Sequence, residues 1–188
     1  MHRDRQVRIH GIHGLANSCP PGQSGSTGQA AGKAQGLRDV DSHDWRIVIV
    51  IDQDDKDCRQ LKQQLEADAA AAGLPTRATA TPAASYVVVN RIAIEELEAW
   101  YFGDWKAVRA AYPRVPAHIG AKAGYRAPDH IKGGTWEAFE RVLQQAGYFT
   151  GGLRKIEAAH AVASHMVPSR NSSPSFCALR DALQEMVA

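Results

Sequence analysis

The sequence has few cysteines and no apolar run long enough to cross a bilayer. Its three cysteines, Cys19, Cys58 and Cys177, are isolated and odd in number, which argues against a disulfide framework or a thiolate metal site. No segment approaches the roughly 18 to 20 apolar residues of a bilayer-spanning helix, and the N-terminus lacks a signal-peptide pattern. We therefore expect a cytoplasmic protein with reduced thiols and no membrane partner.

Glutamate is absent from the first part of the chain, where branched aliphatic residues are also few. All eight glutamates lie at or after Glu66, whereas the first 44 residues hold seven glycines and four of the eight histidines. Such a composition is unsuited to burying a core. We predict that residues 1–44 are a low-complexity segment, either disordered or non-native because of a shifted reading frame. Residues 45–188 are predicted to form one α/β domain.

Two short β-branched runs and several helical patterns follow the predicted boundary. Residues 46–51 and 86–89 are typical of strands buried in a parallel sheet, and residues 58–72 between them of a helix. This order predicts a βαβ unit with a right-handed crossover. Further helices are predicted at residues 94–102, 105–112, 136–146, 153–166 and 174–186. Asp104, Thr135 and Ser173 are expected to cap the second, third and last of these.

Four aspartates lie between positions 52 and 57, directly after the first predicted strand. Asp52 ends the strand and Asp54 lies two residues on, so in extended chain their side chains point the same way, at the edge where α/β sheets bind ligands. Adjacent carboxylates repel unless a cation lies between them, and Mg²⁺ prefers oxygen ligands. The pair predicts a divalent metal site, with a solvated turn as the alternative. Asp55 and Asp57 are assigned to the helix start and to solvent.

A second group of carboxylates follows the second predicted strand. On a helix, Glu95 and Glu98 would lie three residues apart on one face. Because neighbouring parallel strands bring their carboxyl ends close together, either glutamate could face Asp52 and Asp54. A metal would then have ligands from two strands. The alternative is a solvated acidic helix start, which the helix dipole favours.

An ordered series of landmarks resembles a known family. Asp-x-Asp after an apolar strand is similar to the second half of the Toprim metal motif. The segment from Asp44 to Leu183 resembles domain-of-unknown-function family 4276, bacterial proteins with a Toprim-like fold. The landmarks are residues 44–55 (DWRIVIVIDQDD), 91–104 (RIAIEELEAWYFGD), 133–137 (GGTWE), 155–159 (KIEAA) and 173–176 (SPSF).

The resemblance implies a Toprim-like, Rossmann-like parallel sheet with flanking helices and a helical C-terminal part. It also implies Mg²⁺- or Mn²⁺-dependent cleavage of phosphodiesters, as in Toprim topoisomerases, primases and overcoming-lysogenization-defect nucleases. Such proteins often act beside an SMC-like ATPase in phage defence or DNA repair. An SMC-like ATPase is therefore an expected partner.

Toprim sites also carry a glutamate just before a glycine at the end of an earlier strand, in a general acid or base role. No glutamate precedes Glu66 in this chain. One interpretation is that Glu95 or Glu98 takes the catalytic role, while Asp52, Asp54 and Glu98 hold the metal. The other is a catalytically inactive binding module that docks on the ATPase.

Basic residues interleaved with aromatic ones predict contacts with nucleic acid. The net charge is only +2, so a binding surface must come from local clustering. Residues 118–136 combine basic side chains with aromatic side chains that can stack on bases. An ordinary solvated loop is the alternative. Two basic residues also begin a predicted helix, where their charge opposes the dipole. The candidate contacts are Lys122, Arg126, Lys132, Arg154 and Lys155.

A haloacid-dehalogenase-type phosphotransferase is a further alternative. Such an enzyme also uses an aspartate at a strand end with another two residues on. The motif of that class has a threonine or valine two residues after the second aspartate, and this chain has Lys56 there. Formation of an aspartyl-phosphate would favour this class.

Overall fold

The computed structural model describes residues 46–81 and 86–187. Within these ranges the chain forms two strands, β1 (Ile47–Asp52) and β2 (Val88–Ala93). The helices are α1 (Cys58–Ala71), α2 (Ala99–Gly103), α3 (Trp105–Ala111), α4 (Thr135–Gln145), α5 (Lys155–Ala163) and α6 (Pro174–Val187). Short 3-10 turns lie at Ile119–Ala121, Pro128–His130 and Pro168–Arg170. The described chain is α/β, as predicted, and the predicted segment 1–44 lies outside it.

The two strands pair in parallel, and α1 connects them as the sequence predicts. The amide of Ile47 donates to the carbonyl of Val87 (2.7 Å), and Thr76 forms an isolated parallel bridge with Val88. β2 continues beyond the predicted end at residue 89 because Asn90 is accommodated in the strand. Its side-chain amide nitrogen donates to the Glu66 carboxylate (3.1 Å), which offsets part of the cost of burying a polar side chain.

The described chain divides into two compact units. Among the described residues, the first comprises 46–51, 56–81, 86–92 and 186–187. Among its described residues, the buried apolar side chains include Val48, Leu65, Ala69, Val88 and Val89. They come from both strands and from one face of α1, which explains the helical spacing of apolar residues in that segment.

The second unit comprises Asp52–Asp55 and Ala93–Glu185 and is centred on aromatic side chains. Phe102 stacks on Trp105 (5.4 Å between ring centroids) and on Tyr125 (5.1 Å). Tyr101 packs against Phe139 (5.0 Å). Large rings dominate the energetics of such a core, so the short helices α2 and α3 depend on it more than on helix propensity.

Two of the three predicted helix caps are confirmed. The Asp104 carboxylate accepts from the amide of Ala107 (3.4 Å) at the start of α3. The Ser173 hydroxyl accepts from the amide of Phe176 (3.2 Å) at the start of α6. The prediction that Thr135 is a cap is wrong, because Thr135 is already the first residue of α4 and Gly134 occupies the cap position.

The predicted helix at residues 94–102 is also mostly wrong. Only Ala99–Gly103 is helical. Glu95 has φ 61°, in the left-handed region, and a residue in that conformation interrupts a right-handed helix. Glu95 and Glu98 therefore do not share a helix face.

The described residues contain no helix with the length and apolar character needed to cross a membrane.

Candidate carboxylate site

Asp52 is the last residue of β1, and Asp54 lies in the turn that follows. Backbone hydrogen bonds hold this turn to the chain that leaves β2. The amide of Gln53 donates to the Ala93 carbonyl, and that of Asp54 to the Glu95 carbonyl, both at 2.9 Å. Asp54 has φ 53°, a left-handed conformation that aspartate tolerates in turns. The two aspartates are thereby fixed beside residues 93–98.

The Asp52 carboxylate lies directly against the segment that carries the glutamates. Its Oδ1 atom accepts a hydrogen bond from the backbone amide of Leu97 at 2.9 Å. Leu97 stands between Glu96 and Glu98 in the sequence, so this bond brings Asp52 close to both. The charge of Asp52 also acts on Glu98, whose pKa it raises.

Glu98 is buried, and its nearest described cation is Lys155 at the start of α5. The Glu98 side chain is 8% exposed, and its Oε1 atom lies 3.9 Å from the Lys155 ammonium. That ammonium also lies 4.7 Å from the centre of the Trp136 ring, within cation–π distance. Lys155 therefore bridges a buried carboxylate and an aromatic face.

The electrostatics show that the carboxylates act on one another. The pKa of Asp52 is raised. The main cause is the protein packed around its carboxylate, and the charge of Asp54 is the second. The residue nevertheless keeps part of its surface exposed. The hydrogen bond from Leu97 opposes that rise. Burial likewise raises the pKa of Glu98, and Lys155 opposes the rise. The charges of Glu96 and Asp52 add to the increase at Glu98, and the charge of Glu96 adds to the increase at Asp52.

Tyr101 belongs to the same electrostatic group. The residue is 4% exposed. Burial raises the pKa of its hydroxyl, and the charges of Glu98 and Asp52 raise it further. The phenol therefore stays protonated at neutral pH, which argues against its use as a tyrosine nucleophile.

Glu96, which the sequence analysis passed over, has a structural role beside the site. Its Oε2 atom accepts from the amides of Thr135 (3.1 Å) and Trp136 (2.9 Å) and from the Thr135 hydroxyl (3.0 Å). Glu96 therefore supplies the cap that α4 lacks locally. The sequence indicates the need for such a distant cap, because Gly133 and Gly134 directly before the helix have no side-chain acceptor.

Glu95 is placed apart from these side chains. Its backbone amide lies 3.5 Å from the side-chain oxygen of Gln53. In the part of the chain that the structure describes, no contact joins its carboxylate to Asp52, Asp54 or Glu98. Of the two predicted catalytic glutamates, only Glu98 lies at the site.

The other predicted nucleic-acid contacts are dispersed. Lys122, Arg126 and Lys132 are exposed in residues 118–136, and no described contact links them to the carboxylates. Arg154 pairs with Glu157 (2.6 Å). Of the five predicted basic contacts, Lys155 is the one that the described structure brings to the site.

The side chains near Asp52 carry carboxylate oxygens, the type of donor that a hard divalent cation takes. Over residues 46–81 and 86–187, no three His, Cys, Asp or Glu side chains are placed as a ready metal group. Mg²⁺ commonly uses only one or two carboxylates and keeps several waters. Asp52, Asp54 and Glu98 offer carboxylate oxygens of this kind. Asp57 does not contribute, because its carboxylate accepts from the Gln60 amide (2.8 Å) and caps α1, as predicted.

Comparison with known proteins gives one match. A family model described as a domain of unknown function (DUF4276) matches residues 7–184. The match confirms the resemblance drawn from the landmarks and begins upstream of Asp44, the first of them. No curated protein and no solved structure matches the chain.

Proposed function

Since the chain belongs to the DUF4276 family, we propose that it is a Mg²⁺- or Mn²⁺-dependent, nuclease-like domain with a Toprim-like fold that cleaves phosphodiesters. The observation that carries the proposal is the approach of Asp52 to the Glu96–Glu98 segment through the Leu97 amide (2.9 Å). The charge of Asp54 contributes to the raised pKa of Asp52, and the charge of Asp52 contributes to the raised pKa of Glu98. A divalent cation bound between such carboxylates would relieve that repulsion.

Each side chain of the site has a distinct task in this proposal. Asp52 and Glu98 hold the ion, and Asp54 adds negative charge beside them. A bound divalent ion supplies Lewis-acid stabilisation of the charge on the phosphate. The Leu97 amide orients the Asp52 carboxylate, and Lys155 lies where it can contact a phosphate oxygen.

Glu98 also suits the acid or base role for which Toprim sites use an earlier glutamate. In the metal-free site its pKa is raised, so a Glu98 carboxyl that is not bound to the ion lies closer to the pH at which proton transfer is efficient. Glu95 is a weaker candidate, because the described contacts place it apart from Asp52 and Asp54.

Cleavage of nucleic acid by the purified full-length protein tests the proposal. Supercoiled plasmid, single-stranded DNA and RNA would be incubated with Mg²⁺, with Mn²⁺, or with EDTA. We expect cleavage with either ion, none in EDTA, and loss of activity in Asp52→Ala and Asp54→Ala. Asp55→Ala is the matched control, because Asp55 is exposed in the same turn, and it should keep its activity.

Two outcomes would count against the proposal. Cleavage that survives Asp52→Ala would show that another site, or a contaminating nuclease, is responsible. A folded protein that cleaves none of the substrates would favour the non-catalytic module docking on an ATPase.

The proposal extends to the cellular setting that the resemblance implies. We place the domain in the bacterial cytoplasm beside an SMC-like ATPase, in phage defence or DNA repair. Co-purification with an ATPase encoded next to it tests this part. Failure to co-purify when both are produced together would remove the partner and leave the cleavage proposal intact.

A further inference from the structure

Lys155 is held at the carboxylates by two different contacts. Its ammonium lies 3.9 Å from Oε1 of Glu98 and 4.7 Å from the centre of the Trp136 ring. The backbone of Trp136 is held in place, because its amide donates to the Glu96 carboxylate at 2.9 Å. The ammonium therefore lies over the ring of a held residue and beside the buried acid.

The positive charge of Lys155 acts on both members of the carboxylate pair. It opposes the rise in pKa at Glu98 and, more weakly among the causes there, at Asp52. Without a cation, two ionised carboxylates partly removed from water would repel each other. Lys155 lowers that repulsion.

The attachment of Lys155 is also weak enough to be exchanged. A separation of 3.9 Å is too long for a hydrogen bond. Its side chain is 51% exposed on a flexible four-carbon stem, so the ammonium can move into water at little cost. A divalent ion carries twice the charge and coordinates the carboxylate oxygens directly, so it would outcompete the ammonium.

We propose that Lys155 is the resident counter-ion of the carboxylate site: its ammonium neutralises Asp52 and Glu98 until a divalent cation enters, and the cation displaces it. Lys155 is thus a positioning residue that sets how tightly the ion binds. Its displacement frees the ammonium for a substrate phosphate. This inference rests on the proposed metal-dependent function, and it concerns the state of the site without the ion.

The test compares four proteins: the full-length wild type, Lys155→Met, Lys155→Arg and Lys106→Met. Lys106 is exposed on α3, so its variant controls for the loss of one positive charge. Thermal unfolding is measured in EDTA, and Mn²⁺ binding by isothermal titration calorimetry. In EDTA we expect Lys155→Met to unfold about 2–4 °C below the wild type. Lys155→Arg and Lys106→Met should unfold close to it.

Mn²⁺ binding should change in the opposite direction. Lys155→Met should bind Mn²⁺ about 5-fold more tightly than the wild type, because no ammonium has to be displaced. Lys106→Met should keep the wild-type affinity. If Lys155→Met is too unstable to measure, Lys155→Met combined with Glu98→Gln should recover the lost melting temperature, since the carboxylate that needed the counter-ion is then neutral.

The outcomes separate this inference from the function on which it rests. A wild type that binds Mn²⁺, with Lys155→Met unchanged in both melting temperature and affinity, would overturn the counter-ion role and leave the metal site standing. Weaker Mn²⁺ binding by Lys155→Met would overturn the displacement. A wild type that binds no Mn²⁺, with Lys155→Met destabilised in EDTA, would support the counter-ion role and remove the proposed function.

Discussion

At the scale of single residues, the candidate site reduces the stability of the fold. Glu98 is buried, and the Lys155 ammonium lies 3.9 Å from its carboxylate, too far for a hydrogen bond. The pKa of Glu98 is raised. A carboxyl whose folded-state pKa lies above its ordinary value makes folding less favourable once it ionises. Stability therefore falls as pH rises from 4.5, the ordinary pKa, through the higher folded-state value.

We predict that Glu98→Gln stabilises the metal-free protein at neutral pH. The amide cannot ionise, so the part of the stability loss above pH 4.5 that Glu98 causes disappears. In EDTA at pH 7 the variant should unfold at a higher temperature than the wild type, at about 2–4 °C per kcal/mol gained. The difference in unfolding temperature should shrink as the pH falls and vanish below pH 4.5, the ordinary pKa of the carboxyl. Thermal unfolding followed by circular dichroism from pH 3.5 to 8 measures it.

Asp55→Asn provides the control for this pH dependence. Asp55 is exposed in the turn after β1, so its variant should follow the wild-type profile throughout. A Glu98→Gln protein that is less stable than the wild type at pH 7 would mean that the contact with Lys155 outweighs the burial of the charge.

At the scale of elements, the helix caps show which features a sequence reveals. Asp104 and Ser173 cap helices that begin next to them, and both were predicted from the local pattern. The cap of α4 comes from Glu96, which is 39 residues away from Thr135 in the sequence. A local pattern cannot indicate an acceptor that arrives through the tertiary fold.

We predict that Glu96→Ala destabilises the protein by about 1–3 kcal/mol, because it leaves the buried Thr135 hydroxyl and two amides without their acceptor. Thr135 is 0% exposed, so water cannot replace that acceptor without local opening. Guanidinium unfolding gives the change in free energy, and hydrogen exchange at the amides of Thr135 and Trp136 should accelerate.

Glu95→Ala is the neighbouring control for Glu96→Ala. Alanine at this position keeps the left-handed backbone strain of the wild type, whose φ is 61°, and no described side-chain contact is lost. Its unfolding free energy should lie within about 0.5 kcal/mol of the wild type. Equal losses in the two variants would refute the assignment of the cap to Glu96.

The same comparison explains why Glu98 lies near Asp52 whereas the described contacts leave the Glu95 carboxylate apart from it. The predictions for both glutamates assumed a helix from residue 94. The left-handed turn at Glu95 is set by its place after β2, where its carbonyl accepts from the Asp54 amide at 2.9 Å. Nothing in the sequence Ile94-Glu95-Glu96 indicates that turn. Glu98 lies beside Asp52 because the chain leaves β2 next to the end of β1, which the strand pattern did predict.

At the scale of the whole molecule, the aromatic and aliphatic core of the second unit carries most of its stability. Leu143 in α4 is 0% exposed within this core. Leu143→Ala should lower the unfolding free energy by about 2–5 kcal/mol, since it removes buried methyl groups and leaves a cavity. Chemical denaturation measures the loss. The variant, assayed while folded, should retain wild-type Mn²⁺ affinity.

Ile156→Ala is the matched surface variant. Ile156 is 67% exposed on α5, so its truncation should change stability by about 0.5 kcal/mol or less. A loss of unfolding free energy comparable to that of Leu143→Ala would show that the Ile156 side chain is buried in solution.

The unit that contains the site is discontinuous, because Asp52–Asp55 joins Ala93–Glu185 across an intervening stretch of chain. The bond from Leu97 to Asp52 spans 45 residues, and closing a loop of that length costs roughly 3 kcal/mol in chain entropy. During synthesis, a chain that has not yet released Glu98 from the ribosome has no assembled site. The nascent chain therefore cannot form the carboxylate site from local structure alone, and the site appears only once residues on both sides of the intervening stretch have folded together.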